Sequence, residues 1–164
     1  MLDIAKGPCD KPTLVLLVGN IGAGKSTLTK ELANQGYLIL SRDSIRYMIG
    51  GGEYRFGDET EPIVRSVTLA ALEVMAIAEK HVVLDETSMS PRIRSTFINV
   101  VKRYDYNVIA IILPKLSMEE SVARRLRNPH GQPDKALWER VWTMFDHMYV
   151  EPSKKEGIHQ IIKL

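Results

Sequence analysis

"TLVLLVGNIGAGKST", Thr13 to Thr27, is the stretch on which the fold turns. Thr13 to Val18 is a continuous apolar run of strand length, the pattern of a strand buried on both faces. Gly19-Asn20-Ile21-Gly22-Ala23-Gly24-Lys25-Ser26 then fills every fixed position of G-x-x-x-x-G-K-[ST]. From Lys25 the pattern is helical to about Gln35, where Gly36 stops it. Strand, glycine loop and helix in that order make a phosphate cradle. Glycine lets the backbone come close enough for successive N–H groups to point at phosphate oxygens. The helix adds its positive N-terminal end. Residues Gly19 to Thr27 are thus the expected nucleotide-binding segment, with Lys25 reaching the β- and γ-phosphates and Ser26 holding Mg²⁺ by its hydroxyl. No N-K-x-D occurs, so the guanine-reading element of a GTPase switch is missing.

Working outward, "YLILS" reads as a second short strand. Asp43 is expected to cap a short helix through Met48, ended by the triplet Gly50 to Gly52. A polar loop holding Tyr54 and Phe56 follows. Glu61 to Lys80 reads as a long helix with apolar positions Ile63, Val67, Ala70, Ala71 and Val74. "HVVLDET" is a third strand. Ser90 and Pro91 supply an N-cap and a first-turn proline for a helix to about Tyr104. "NVIAIILP" is a fourth strand, and Ser117 with Glu120 a capping box for a helix to about Arg127. "NPHGQP" breaks that helix. Pro133 to about Tyr149 is another helix, expected to bury Leu137, Val141, Met144 and Met148 with Trp138, Trp142 and Phe145 adjoining. "GIHQIIKL" is a last strand. Strands alternating with helices predict an α/β sandwich: a parallel sheet of about five strands with helices on both faces.

The bulk numbers agree with one ordinary globular domain over residues 1–164, with a loose arm over 1–12 and a candidate lid at about 124–134. The 164 residues are 45% hydrophobic and 26% charged, with a net charge of +2. That charge argues against extended coating of duplex nucleic acid but permits a small basic pocket. Cys9 is the single cysteine, which excludes a disulfide framework and a thiolate metal cluster. His81, His130, His147 and His159 show no metal-ligand spacing. "MLDIAKGPCDKP" lacks the apolar core of a signal peptide, and "TLVLLV" and "VIAIIL" are too short to cross a bilayer. The expectation is a cytoplasmic protein with no membrane partner; the sequence does not specify an oligomeric state.

In this architecture ligands gather at the carboxyl ends of the strands. Three groups of polar residues land there. Ser41, Arg42, Asp43 and Arg46 follow the second strand; Asp85, Glu86, Thr87 and Ser88 follow the third; Arg124, Arg125, Arg127 and His130 end the helix after the fourth. Phosphoryl transfer to an alcohol needs a carboxylate to orient the hydroxyl and take its proton, and cations to meet phosphate charge. Asp43 fits the first task and Arg46, on the same helical face, can grip a phosphate of the acceptor. An N-cap aspartate with a surface arginine behind it accounts for the same residues. Asp85 is expected to serve Mg²⁺ as a strand-terminal acid, with Glu86 its competitor. The arginines either clamp a nucleotide or form a solvated basic helix end. Tyr47, Tyr54 and Phe56 either stack on a base or pack a loop.

"GNIGAGKSTLTKEL", "GYLILSRDSIR" and "VVLDETSMSPRIR" together resemble the kinase domain of phage-type 5′-hydroxyl polynucleotide kinases, from Leu14 to about Tyr149. The resemblance implies a P-loop kinase fold, with ATP and Mg²⁺ as cofactors. It implies transfer of the ATP γ-phosphate to the 5′-hydroxyl of a single-stranded DNA or RNA end. Asp43 takes the role of general base, Arg46 that of contact to the substrate phosphate, and Lys25 and Ser26 those of the phosphate loop. Asp85-Glu86-Thr87-Ser88 stands where that family has D-x-T-N, so Asp85 and Thr87 join the substrate side and serine replaces asparagine. The family's lid arginine on the ATP phosphates falls to Arg124 and Arg127, with Arg125 open. No D-x-D-x-[TV] phosphatase motif occurs, which implies kinase activity alone. Small-molecule P-loop kinases and toxin-like sugar-nucleotide kinases share the phosphate loop, D-x-x-R and D-x-T pattern, so a kinase for a small hydroxylated metabolite or nucleotide, and an ATP-binding toxin-like regulator, stand as alternative readings. "DETSMSPR" does not match the D-G-[FY]-P-R of nucleoside-monophosphate kinases.

Overall fold

β1 (Thr13–Val18) is the middle strand of a five-stranded, all-parallel sheet because its run of Leu and Val can be buried on both faces. The computed structural model describes residues 11–127 and 133–164. The sheet order is β2 (Leu38–Leu40), β3 (Val82–Leu84), β1, β4 (Asn107–Ile112), β5 (Gln160–Lys163). Val15 sits in register with Val83 on one side and Ile109 on the other. The expected sandwich, a P-loop kinase α/β fold, is what forms.

Alternation along β1 splits its side chains between two cores. Leu14, Leu16 and Val18 face α3 (Thr60–Ile77) and α4 (Pro91–Val101), while Val15 and Leu17 face α1 (Lys25–Asn34). A third cluster joins Ile21 of the glycine loop to Val122 of α5 (Met118–Arg127) and Trp138 of α6 (Lys135–Met148). The loop that should hold phosphate is thus seated on the helix pair that should cover it. Among the described residues no helix is long and apolar enough to cross a membrane.

Several local expectations are corrected. α2 (Arg42–Ile49) is capped by Ser41, whose Oγ accepts from the Ser44 N–H at 3.4 Å, and not by Asp43. α3 buries Val64, Thr68, Leu72 and Ala76, while Ile63 and Val74 are 54% and 66% exposed. Thr68 tolerates the core because its hydroxyl donates to the Val64 carbonyl at 2.6 Å, so the buried stripe runs through a residue a purely apolar pattern skips. α3 also stops at Ile77. Glu79 takes a left-handed φ of 53° while its N–H and that of Lys80 return to Ala76 and Met75, a Schellman stop built without glycine. In α6 the aromatic side faces inward, with Trp138 buried and Met144 and Met148 exposed.

Ser90 and Pro91 open α4 as expected, and the three residues Lys102–Tyr104 extend it as a tighter turn. Ser117 accepts from the Glu120 N–H at 3.2 Å, but the Glu120 carboxylate goes to Arg124, so the capping box is half formed. Of the N-terminal arm only Lys11 and Pro12 are described; they tie to Asp105 and Asn107. Cys9, His130 and the tip of the candidate lid, 128–132, lie outside the described residues.

Candidate active site

The glycine loop closes over the end of β1, and Gly22 and Gly24 both carry the positive φ its tight course needs, at 69° and 99°. A Cβ on Gly22 would stand 2.6 Å from the Ser121 carbonyl of α5, so this glycine serves close packing as well as the turn. Asn20 braces the loop: its Oδ1 accepts from the Ile21 N–H at 2.7 Å and its Nδ2 donates to the Trp142 carbonyl at 2.9 Å. Ala23 packs at the edge of the α1 core, and Ser26 and Thr27 are exposed on the first turn of α1.

The Lys25 ammonium donates to the Gly19 and Asn20 carbonyls at 2.9 and 2.8 Å, which places it inside the curl of the loop. Burial pulls its pKa down to about 8, and the negative charge of Asp85 opposes that fall. Burial pushes Asp85 above the usual carboxylate range, Lys25 working against it and Asp43 and Glu86 adding to it. Lysine and aspartate each carry charge at a cost that an incoming ligand can relieve.

Because Ser41 caps α2, Asp43 sits in the first turn and its carboxylate is left to other partners. Its Oδ1 accepts from Arg46 Nη1 at 2.6 Å and from the Tyr54 hydroxyl at 2.8 Å. Arg46 also donates from Nε and Nη2 to both oxygens of Glu61, each at 2.7 Å. Tyr54 is raised well above the ordinary tyrosine range, first by burial and then by the Asp43 charge. The Tyr47 and Tyr54 rings meet edge to face at 5.3 Å, and Phe56 is 70% exposed beside them.

Asp85 and Glu86 part company. Glu86 accepts Arg42 Nε and Nη2 at 2.7 and 2.9 Å, and the Arg42 backbone N–H at 3.3 Å, so it secures the start of α2. Asp85 is the acid that shares the electrostatics of Lys25. Its own N–H is fixed by the Leu40 carbonyl at 2.9 Å, and the Thr87 carbonyl accepts from Gly19 N–H at 3.1 Å, stitching this loop to the glycine loop. Ser88 adopts a left-handed φ of 44°, a conformation that asparagine tolerates better than most residues.

Three arginines of α5 take three positions. Arg124 is bound to Glu120 at 2.6 Å and reaches the Gly22 carbonyl at 3.4 Å, on an exposed flank. Arg127 ends the helix, exposed. Arg125 is the one turned inward. Its guanidinium stacks 4.3 Å above Trp138, and its buried Nε has no hydrogen-bond partner among the described residues. Burial lowers its pKa, while Asp43, Tyr54, Tyr47 and Asp85 act to raise it. Beside burial, the charges of Asp85, Arg125, Glu86 and Asp43 all act on Lys25; Glu61 is the residue beside Asp43 and Arg46 to which the sequence reading gave no role. Glu61 meets Arg46 from another helix, which no spacing along the chain announces.

Solved structures share this fold. The Pnkp1/Rnl/Hen1 RNA repair complex contains a chain matched with a TM-score of 0.69 at 22% identity, over 87% of this chain and 47% of that one. A fungal RNA kinase matches with a TM-score of 0.63 at 21% identity, over 94% and 74%. Shikimate kinase from Acinetobacter baumannii matches with a TM-score of 0.58 at 20% identity, over 94% and 86%. The chain thus spans less than half the length of the repair-complex chain. Among proteins of curated function none matches this sequence. Residues 14–149 match the AAA domain family AAA_33, and the chain belongs to that family.

Proposed function

We propose that this chain is an ATP-dependent kinase that transfers the γ-phosphate to the 5′-hydroxyl of a DNA or RNA end. The observation that supports the reading is the Lys25 ammonium held inside the glycine loop at 2.9 and 2.8 Å from the Gly19 and Asn20 carbonyls, with Asp85, Arg125 and Asp43 among the charges that act on it. In this reading the glycine loop and the α1 N-terminus hold the phosphates, and Lys25 leaves its two carbonyls for the β- and γ-oxygens. Arg125, whose buried Nε has no hydrogen-bond partner among the described residues, supplies the second cation. Arg124 and Arg127 flank it on the outer face of the lid.

The acceptor oxygen forms a bond to the γ-phosphorus as the bond to the β–γ bridging oxygen breaks. ADP leaves with that electron pair, and the hydroxyl proton passes to the Asp43 carboxylate. Mg²⁺ fits the donor set: the Ser26 hydroxyl and the Asp85 carboxylate are the one or two protein oxygens such an ion needs when phosphates and water supply the rest. Asp85, held up in pKa by burial, is a carboxylate that a nearby cation would stabilise. The bound ion would neutralise phosphate charge. The exposed Phe56 ring and the neighbouring Tyr47 and Tyr54 offer a terminal base a stacking face, and Thr87 is assigned to the substrate side. Residues 1–164 act in this reading as a single cytoplasmic kinase domain.

The test is incubation with γ-labelled ATP and a panel of 5′-hydroxyl oligonucleotides, nucleoside monophosphates and sugars. Label on the oligonucleotides is expected. Label confined to small molecules overturns the nucleic-acid acceptor, and no label at all overturns the kinase reading.

A further inference from the structure

α3 carries two stripes, and one of them is buried. Val64, Thr68, Leu72 and Ala76, every fourth residue, are the buried set. Ile63, Val67, Ala70, Val74 and Ile77 recur at alternating intervals of four and three residues, the spacing of a coiled-coil seam, and lie on the opposite side of the helix. Ile63, Val74 and Ile77 are 54%, 66% and 64% exposed; Ala70 is exposed and Val67 half-buried. Ser66 and Glu73 share that side, and the Glu73 carboxylate accepts from Arg103 Nη2 at 2.8 Å and from the Tyr104 hydroxyl at 2.9 Å. A surface helix shows charged and polar residues to water along such a face, whereas a helix apolar on every side is one that something covers. Single exposed apolar side chains are ordinary. A row of them along about four turns is a contiguous patch of the kind that marks an interaction site.

The stripe begins and ends on isoleucine, with a valine inside each end and Ala70 near the middle, so it reads much the same in either direction. A two-fold axis across it lays apolar side chain on apolar side chain, and the alanine lets the two backbones approach. The ends set the direction. Asp58 and Glu59 stand exposed at the N-terminal end of α3. Lys80 and His81, preceded by Glu79, stand exposed at the other, and Arg103 flanks the last two turns through Glu73. Antiparallel pairing sets the acids of one copy beside the cations of the other and opposes the two helix dipoles; parallel pairing stacks acid on acid. We infer that α3 is the contact of a weak homodimer, in which two copies of this chain pack their Ile63–Ile77 faces antiparallel. Two 18-residue helices packed in this way bury on the order of 1,000 Å² in total, the lower limit of a specific interface, so the dimer is transient and not obligate. The inference stands independently of the proposed reaction.

Sedimentation velocity of the full chain tests it, over concentrations from about 5 to 500 μM that bracket a dissociation constant on the order of 10–100 μM. Wild type should pass from monomer to dimer across that range. Val74→Glu and Val74→Arg change an exposed position, so Tm should be nearly unchanged. Each should raise the dissociation constant at least about tenfold, because either charge is buried twice and unpaired in the contact. Wild type that stays monomeric at the highest concentration overturns the inference, since α3 then meets something other than a second copy. A dimer that survives both substitutions overturns it as well, since another surface then holds the copies together. Direction is read from Ile63→Cys and Ile77→Cys, each in a Cys9→Ser background, joined by a short bis-maleimide. The mixture of the two should cross-link several-fold more than either variant alone. Cross-linking within Ile63→Cys alone that equals the mixture overturns the antiparallel packing.

Discussion

Arg42 holds Glu86 through Nε and Nη2 at 2.7 and 2.9 Å, and this pair sets two adjacent acids apart. Glu86 accepts a third donor from the Arg42 backbone, so its carboxylate anchors the start of α2 to the end of β3. Asp85 is left to the electrostatics of Lys25. Of two acids side by side in sequence, one braces α2 and the other acts on the charge of Lys25.

The two should separate on mutation. Asp85→Asn should lower kcat by about 10²–10³-fold and raise the Mg²⁺ concentration needed, as loss of one electrostatic stabiliser does. Glu86→Gln should keep that Mg²⁺ dependence and lower Tm by a few degrees. A Mg²⁺ titration of both variants checks this; a shifted titration in Glu86→Gln alone would reverse the assignment.

Lys25 predicts a pH dependence. Its pKa of about 8 in the free protein lies below the 10.5 of the unfolded chain, so above about pH 8 the native ammonium loses its proton first. Folding stability then gains with pH between those values, since the unfolded state binds more protons there. A triphosphate favours the charged lysine, so ATP binding at pH 8–9 should take up a proton and ATP affinity should weaken as pH rises through 8. Titration calorimetry in buffers of different ionisation enthalpy reads the proton directly. Zero uptake there, in wild type, removes Lys25 from the phosphate site.

The arginines of α5 give a graded prediction. Arg125→Ala should cost about 10²–10³-fold in kcat, because its buried guanidinium meets charge that grows in the transition state. Arg124→Ala and Arg127→Ala, on exposed flanks, should change kcat by about fivefold or less. Steady-state kinetics of the three variants checks the order, and a larger loss from Arg127→Ala would place the lid differently.

Arg94 and Glu156 are a structural counterpart to the site. Arg94 is 0% exposed, donates from Nε and Nη2 to Glu156 at 2.7 and 2.9 Å, and from Nη1 to the Ser88 carbonyl at 2.9 Å. Glu156→Ala leaves a buried charge unpaired, at a cost of about 3–5 kcal/mol. Thermal denaturation should show Tm lower by on the order of 10 °C. A Tm within about a degree of wild type would mean the pair is relaxed in solution.

Much of this was legible along the chain. The glycine loop, the buried β1 and the Ser90–Pro91 helix start rest on local rules that tertiary context did not override. Asp43 was found by its place after β2, but its cap role went to Ser41 because either residue could serve and the backbone selected the earlier one. The buried stripe of α3 was misread since Thr68 satisfies its hydroxyl within the helix. Glu61 is beyond local reading for a different reason: its partner lies 15 residues away on another helix. Which of the three α5 arginines turns inward is likewise set by a tryptophan on α6, which left Arg125 only an open candidate in the sequence.

In the proposed reaction Asp43 takes the acceptor proton at the phosphate carried by the loop of Lys25. The most direct measurement is γ-labelled transfer to a 5′-hydroxyl oligonucleotide by wild type and Asp43→Asn, with ATP affinity measured on the same samples. The account predicts wild-type ATP affinity and transfer lowered by about 10²–10⁴-fold, the usual worth of a general base. Full transfer by Asp43→Asn would contradict it.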